Sequence, residues 1–223
     1  MRFDGAAIAP YLPPAVNLTE VQPLGIIAAS HYPDTELGSY HELSFFVRAT
    51  ALDRTFMFSP LMYADGDGAV AAGRELWGFA KKVATMALTE AGEYWRFTAD
   101  RNGHRIADVR FRPQQQGTPD ALAAVDFPTL TLRLIPSRTG RGRPDIAQLI
   151  STSNLKRPCT ANGMDARWVG TSDVSILGTA SDPVTAFSPV EMVSSWMTEY
   201  DCDLPAGDLV HDYREAEKSA PTG

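Results

Sequence analysis

Cysteine is nearly missing from this chain. Cys159 and Cys202 stand far apart with no histidine or cysteine at ligand spacing, so neither a disulfide framework nor a zinc site is expected, and both read as ordinary thiols. The four histidines, His31, His41, His104 and His211, are scattered singly and form no ligand pair. Long apolar runs are missing too: none approaches the ~20 residues that cross a bilayer. The N-terminal MRFDGAAIAPYLPP has neither the basic start nor the unbroken apolar stretch of a signal peptide, so a cytoplasmic location without a membrane partner is expected. An excess of basic residues is also lacking. With 20 Lys and Arg against 27 Asp and Glu, the formal charge is −7, the opposite of what a phosphate-binding surface needs, so nucleic acid is not an expected partner. A nucleophile elbow of the G-x-S-x-G kind does not occur, which leaves a serine hydrolase triad without its serine.

What is present is an ordinary globular balance, 44% apolar and 21% charged over 223 residues. The reading is one domain over residues 1–215 followed by a frayed polar tail, 216–223. The apolar residues fall in short runs rich in β-branched and aromatic types, punctuated by Gly, Pro, Asp and Asn, the pattern of a mainly β, mostly antiparallel protein with a few short helices. Strands are predicted over 24–30, 39–48, 55–63, 82–88, 94–100, 105–112, 129–135, 146–151 and 166–177, enough to close a barrel or cone. Asn102-Gly103 marks the tip of a hairpin spanning 94–112. Helices are predicted over 69–76 and over 189–200, the latter with Ser188 as cap, Pro189 in the first turn and Glu191 three residues after the cap.

Two places carry candidate chemistry. In GRELWGFAKKVA, Lys81 and Lys82 directly follow Trp77, Gly78, Phe79 and Ala80, an unusual setting for adjacent cations. If they enter a strand, their side chains point to opposite faces and one of them faces the interior. Burial disfavours an ammonium group and yields the neutral amine that attacks a ketone. The competing reading is a surface turn bracketed by two solvated lysines. In GSYHELSFFVRA, alternation places Tyr40, Glu42, Ser44, Phe46 and Arg48 on one strand face and His41, Leu43, Phe45 and Val47 on the other. Glu42 then lies on a solvated face of a half-exposed sheet or, in a barrel, on the wall of a polar cavity. The Gly- and Arg-rich SRTGRGRPD lacks a phosphate-loop signature and reads as a turn, with an oligomer contact as the alternative.

GRELWGFAKK, the upstream GSYHE and the later LRLIPSRTGRGRPDIAQL and SPVEMVSS, in that order and spacing, resemble the acetoacetate decarboxylase family over nearly the whole chain. The resemblance implies a β barrel or cone, a homo-oligomer, a small keto-acid substrate and no organic or metal cofactor. It assigns Lys81 as the Schiff-base lysine, Lys82 as its cationic neighbour and Glu42 as the active-site glutamate; the family is itself a standard example of an activated lysine. Desolvation by Trp77 and Phe79 is the expected source of that activation, since strand geometry turns Lys82 away. The expected activity is decarboxylation of a β-keto acid through an iminium and enamine on Lys81. Alternatives are aldolase or dehydratase chemistry on a larger keto acid, and a non-catalytic small-molecule-binding barrel. An exposed Lys81 amine would favour the binding barrel, and a buried amine beside Glu42 the enzyme.

Some positions depart from the family pattern. The family's N-terminal stretch, with an arginine near the substrate carboxylate, has no counterpart ahead of Met1, and a truncated or miscalled reading frame is the alternative to a shift in chemistry. The family's second glutamate falls here on Gly25, and Ala80 stands where proline is usual.

Overall fold

A computed structural model of the chain describes residues 1–153, 155–161, 164–165 and 167–218. Thirteen strands build its two main sheets: β1 (Val16–Leu18), β2 (Gly25–Tyr32), β3 (Tyr40–Ala51), β4 (Arg54–Ala64), β5 (Lys81–Val83), β6 (Thr85–Ala91), β7 (Tyr94–Arg101), β8 (His104–Gln116), β9 (Thr129–Ile135), β10 (Ile146–Thr152), β11 (Arg167–Ile176), β12 (Ser195–Thr198) and β13 (Asp208–Asp212). The first sheet runs β13-β10-β9-β4-β3-β1, with β2 also paired to β3 and β5 to β4. The second runs β12-β11-β8-β7-β6. The expected mainly β, mostly antiparallel architecture forms, although the large sheet is mixed and curls into an open half-barrel.

Each long central strand shares an edge between two short partners. β3 takes β1 along its last residues and β2 along its first, while β4 takes β9 and then β5, both parallel to it. Such a shared edge makes the sheet diverge there, and β5 enters the opening with Lys81 opposite Met62 and Lys82 opposite Tyr63.

The β3–β4 register shifts between Phe45, which faces Leu61, and Val47, which faces Phe58. β4 therefore carries one extra residue at Ser59–Pro60, a bulge of the kind proline tolerates. The bulge resets the alternation, so Phe56, Phe58, Leu61 and Tyr63 all turn to one side with Leu43, Phe45 and Val47. This is the core, completed by Phe3, Phe97, Ile106, Leu130, Leu149 and Phe187, all at most 2% exposed. Each such side chain contributes about 1.5–3 kcal/mol by leaving water. The opposite face of the same sheet carries Glu42, Ser44, Met62 and Lys81.

The structure revises several expected elements. The single strand expected over 82–88 is two, Lys81–Val83 and Thr85–Ala91, belonging to different sheets. The helix expected over 69–76 begins at Asp67, runs to Ala72 and widens into a π-turn over Gly73–Trp77. The helix expected over 189–200 does not form. Pro189–Glu191 pairs antiparallel with Arg2–Phe3, and Ser195–Thr198 with the start of β11. Val190, Met192, Val193, Trp196 and Met197 recur at helix-like spacing, but two open sheet edges offered backbone partners, and tertiary pairing prevailed over local pattern. The hairpin turns at Asn102 and Gly103, with φ of 51° and 80°. Ser137–Asp145 is the connection between β9 and β10, with Gly140 and Gly142 at positive φ. Of the expected tail, residues up to Lys218 extend a helix from Tyr213, and 219–223 lie outside the described residues. Among the described residues, no helix is long and apolar enough to cross a membrane.

Candidate active site

The lysine is delivered by a short stretch of unusual backbone. After the Asp67–Ala72 helix, the π-turn ends at Gly78 in the left-handed region, φ 75°. A side chain there would meet backbone as well: a Cβ on Gly78 would sit 2.5 Å from the Arg133 nitrogen. The Gly73 carbonyl accepts from the N–H of both Gly78 and Phe79, and the chain then re-enters as β5. Arg74 donates to the Lys81 carbonyl at 3.1 Å. Gly73 is required for a different reason. Its missing side chain leaves the space the Lys81 side chain runs through, since a Cβ would lie 2.8 Å from both Cδ and Cε.

Pairing then assembles one face. Lys81 stands beside Met62, Met62 beside Ser44, and Ala64 beside Glu42. Residues opposite one another across a ladder share a face, as do residues two apart along a strand. The small Ala64 lets lysine and glutamate meet on the diagonal. The Lys81 Nζ lies 2.6 Å from the Glu42 Oε2, with the two side chains 7% and 10% exposed. Ser44 donates to the other carboxylate oxygen at 2.8 Å. The Lys81 amine also sits 5.6 Å from the ring centres of Tyr40 and Phe79, and Tyr32 stacks on Tyr40 at 4.8 Å. Burial, together with the Glu42 charge, pushes the Tyr32 and Tyr40 hydroxyls up, so both remain neutral hydrogen-bond donors. Trp77 is not one of the shielding rings: it is half-buried, and its indole N–H donates to the Pro205 carbonyl at 2.8 Å.

Lys82 is not brought to this pair. Facing the Tyr63 side, it donates to Asp182 at 2.9 Å and to the Ser181 carbonyl at 3.3 Å. Asp182, 1% exposed, also accepts from Tyr63 at 3.1 Å and from Arg101 at 3.0 Å. Burial acts to raise the Asp182 carboxyl, but the hydrogen bonds from Lys82 and Tyr63 and the charges of Lys82 and Arg101 outweigh it and hold it below the usual carboxylate range. Nothing in the local sequence around Asp182 marks it, because its partners come from distant strands.

Gly25 lies on the core face of β2, where a Cβ would meet the Phe3 ring at 2.3 Å. The β2 residue facing Glu42 is Ser30. A carboxylate at position 25 would therefore point into the core and away from Lys81.

An enclosed amine–carboxylate pair on the polar face of a curled β sheet defines the class of site. A profile described as acetoacetate decarboxylase (ADC) matches residues 1–214, and the chain belongs to that family. Acetoacetate decarboxylase 2 of Mesorhizobium japonicum is 27% identical over 217 residues, spanning 95% of this chain and 79% of its own length. Acetoacetate decarboxylase of Clostridium botulinum is 27% identical over 215 residues, spanning 95% and 84%. The crystal structure of the Legionella pneumophila acetoacetate decarboxylase superposes with a TM-score of 0.81 at 25% identity, covering 95% of this chain and 82% of that one. The enduracididine biosynthesis enzyme MppR, complexed with pyruvate, shares the fold with a TM-score of 0.74 at 16% identity, covering 95% and 86%. This chain is an acetoacetate decarboxylase-like enzyme of a family named for a carboxy-lyase.

Proposed function

We propose that Lys81 condenses with a β-keto acid and that the resulting iminium drives loss of CO2. The observation that supports this is the buried Lys81 amine 2.6 Å from Glu42, the arrangement that favours the enzyme over a binding barrel. The neutral amine adds to the keto carbon and water leaves, giving a cationic iminium whose carbon is bonded to the carboxylate-bearing carbon. The C–C bond to the carboxylate breaks, CO2 departs, and the electron pair is held as an enamine. Protonation at carbon and hydrolysis return the ketone and the free amine. Glu42 is within hydrogen-bond reach of the nitrogen and is placed to take its proton on attack and return one to the enamine. Ser44 holds the other oxygen and so fixes the carboxylate's orientation. The lysine serves as its own electron sink, so no cofactor is called for. Lys82 acts outside this chemistry, as an anchor.

A second reading is carbon–carbon bond formation on a larger keto acid, favoured by the shared fold of MppR, which has been seen with the condensation product of pyruvate and imidazole 4-carboxaldehyde. Borohydride trapping with acetoacetate and with pyruvate, read by intact mass and peptide mapping, tests both. A reduced adduct on Lys81 that has lost the mass of CO2 and is missing in Lys81→Ala is the expected result. An adduct retaining the carboxylate would favour the second reading, and no adduct with either acid would sink the imine proposal.

A further inference from the structure

We propose that Arg133 is the cation that docks the carboxylate of the keto acid beside Lys81, a role that rests on the imine reading of Lys81. Arg133 is half-buried on β9, and its Nε is fully enclosed without any hydrogen-bond partner. A guanidinium nitrogen left unmade in the interior is costly, and it calls for an acceptor. The other cations of this sheet face are spoken for: Lys81 pairs with Glu42, and Arg48 with Glu20. Arg133 has no carboxylate against it among the described residues.

Placement puts Arg133 beside the site, on the same sheet face. Leu130 of β9 lies in the core, so Thr131 and Arg133 take the opposite face, the one that carries Glu42, Ser44, Met62 and Lys81. Thr131 confirms the direction by donating to the Trp77 carbonyl of the π-turn. Arg133 itself packs under Gly78 at the end of that turn, while the tip of Lys81 lies under Gly73 at its start. Because the Gly73 carbonyl accepts from the Gly78 and Phe79 N–H groups, the two glycines are about one helical turn apart, roughly 5 Å along the axis. A substrate whose keto carbon is bonded to Lys81 thus has the backbone of Arg133 about one turn from it, with that side chain on the same face. The planar fork of a guanidinium matches a carboxylate, donating to both of its oxygens through Nε and Nη. The ligand class is therefore a short keto acid held by its carboxylate; an uncharged ketone has nothing to offer Arg133.

The test uses acetoacetate and acetone on the full chain, measuring the rate of cyanoborohydride-trapped adduct at Lys81 below saturation. Arg133→Met keeps the apolar stem and removes the charge. It should slow adduct formation from acetoacetate by roughly ten- to a hundredfold, the size of a lost charge-assisted hydrogen bond, and leave acetone within about twofold. Arg133→Lys should fall between, with a raised KM and little change in kcat. Equal loss with both ketones, or no loss with either, would overturn the assignment. Should the methionine variant misfold, the lysine variant decides alone: equal rates relative to wild type for both ketones count against Arg133. A wild type that forms no adduct with either ketone sinks the imine reading itself, a result distinct from a failure of Arg133.

Discussion

Lys81 and Lys82 are neighbours in one three-residue strand, and each meets a carboxylate, yet the two pairs are built to opposite ends. Glu42 holds Lys81 with one oxygen and Ser44 with the other, in a setting of ring faces and small side chains. Asp182 holds Lys82 but also Arg101 and Tyr63, tying β4, β5 and β7 to the segment before Val184. In the proposed mechanism, the first pair leaves the amine able to exchange partners with a substrate. In the second, an ion pair saturated from three sides has no capacity left for one and works as a clamp between the two sheets. Strand geometry alone separates them, because a shift of one residue changes the face.

The sharpest way to break the comparison is at Gly73. Gly73→Ala places a methyl 2.8 Å from the Lys81 side chain and should lower kcat/KM about a hundredfold through misplacement of the amine, with the circular dichroism spectrum unchanged. Retained activity would show that the lysine reaches its substrate by another route. Removing the clamp acts on stability instead. Asp182→Asn should cost about 3 kcal/mol in urea unfolding, since it leaves Lys82 and Arg101 without their counter-charge. The sign of the pH dependence follows from the lowered carboxyl. Its contribution is present above the unfolded value of about 4 and is lost as pH falls through the lower folded value, so the wild type should lose stability there and the variant should show a flatter acid limb. The smallest effect is expected at Lys82. Lys82→Met should cost about 1 kcal/mol of stability and leave kcat/KM within about threefold, because the amine points to Asp182. A shift of the alkaline or acidic limb of the pH–rate profile in that variant would mean that the two lysines communicate after all, and the separation drawn here would fail.

Much of the fold was legible locally. The Asn102-Gly103 hairpin, the 129–135 and 146–151 strands and the polar face of GSYHELSFFVRA follow from turn chemistry and period-two alternation, and each of these elements forms with at most small changes at its ends. The helix expected over 189–200 failed because its apolar spacing suits either geometry, and only the presence of open edges at Arg2–Phe3 and β11 decided between them. The break between β5 and β6 was hidden for a related reason. Val83 and Thr85 read as one apolar-rich run, while the chain leaves one sheet at Ala84 to join the other. At the site, Glu42 and Lys81 were readable as candidates; Asp182, Arg133 and Gly73 were not, because each acts through a contact with a residue distant in the chain or by leaving space.

The sequence by itself determined the residue types and their alternation: two adjacent lysines that, once in a strand, face opposite ways, a glutamate on the more polar face of its strand, and a glycine-bounded segment ahead of the pair. Which lysine turns to the glutamate was decided only in three dimensions. The bulge at Ser59–Pro60 reset the alternation of β4, and that reset sets the faces on which Met62 and Tyr63 present their neighbours. β5 then added itself in parallel register, Lys81 on Met62 and Lys82 on Tyr63. Side-chain direction along a strand is a local property, but the identity of what lies opposite is a matter of register, and register is set by the packing of the whole sheet.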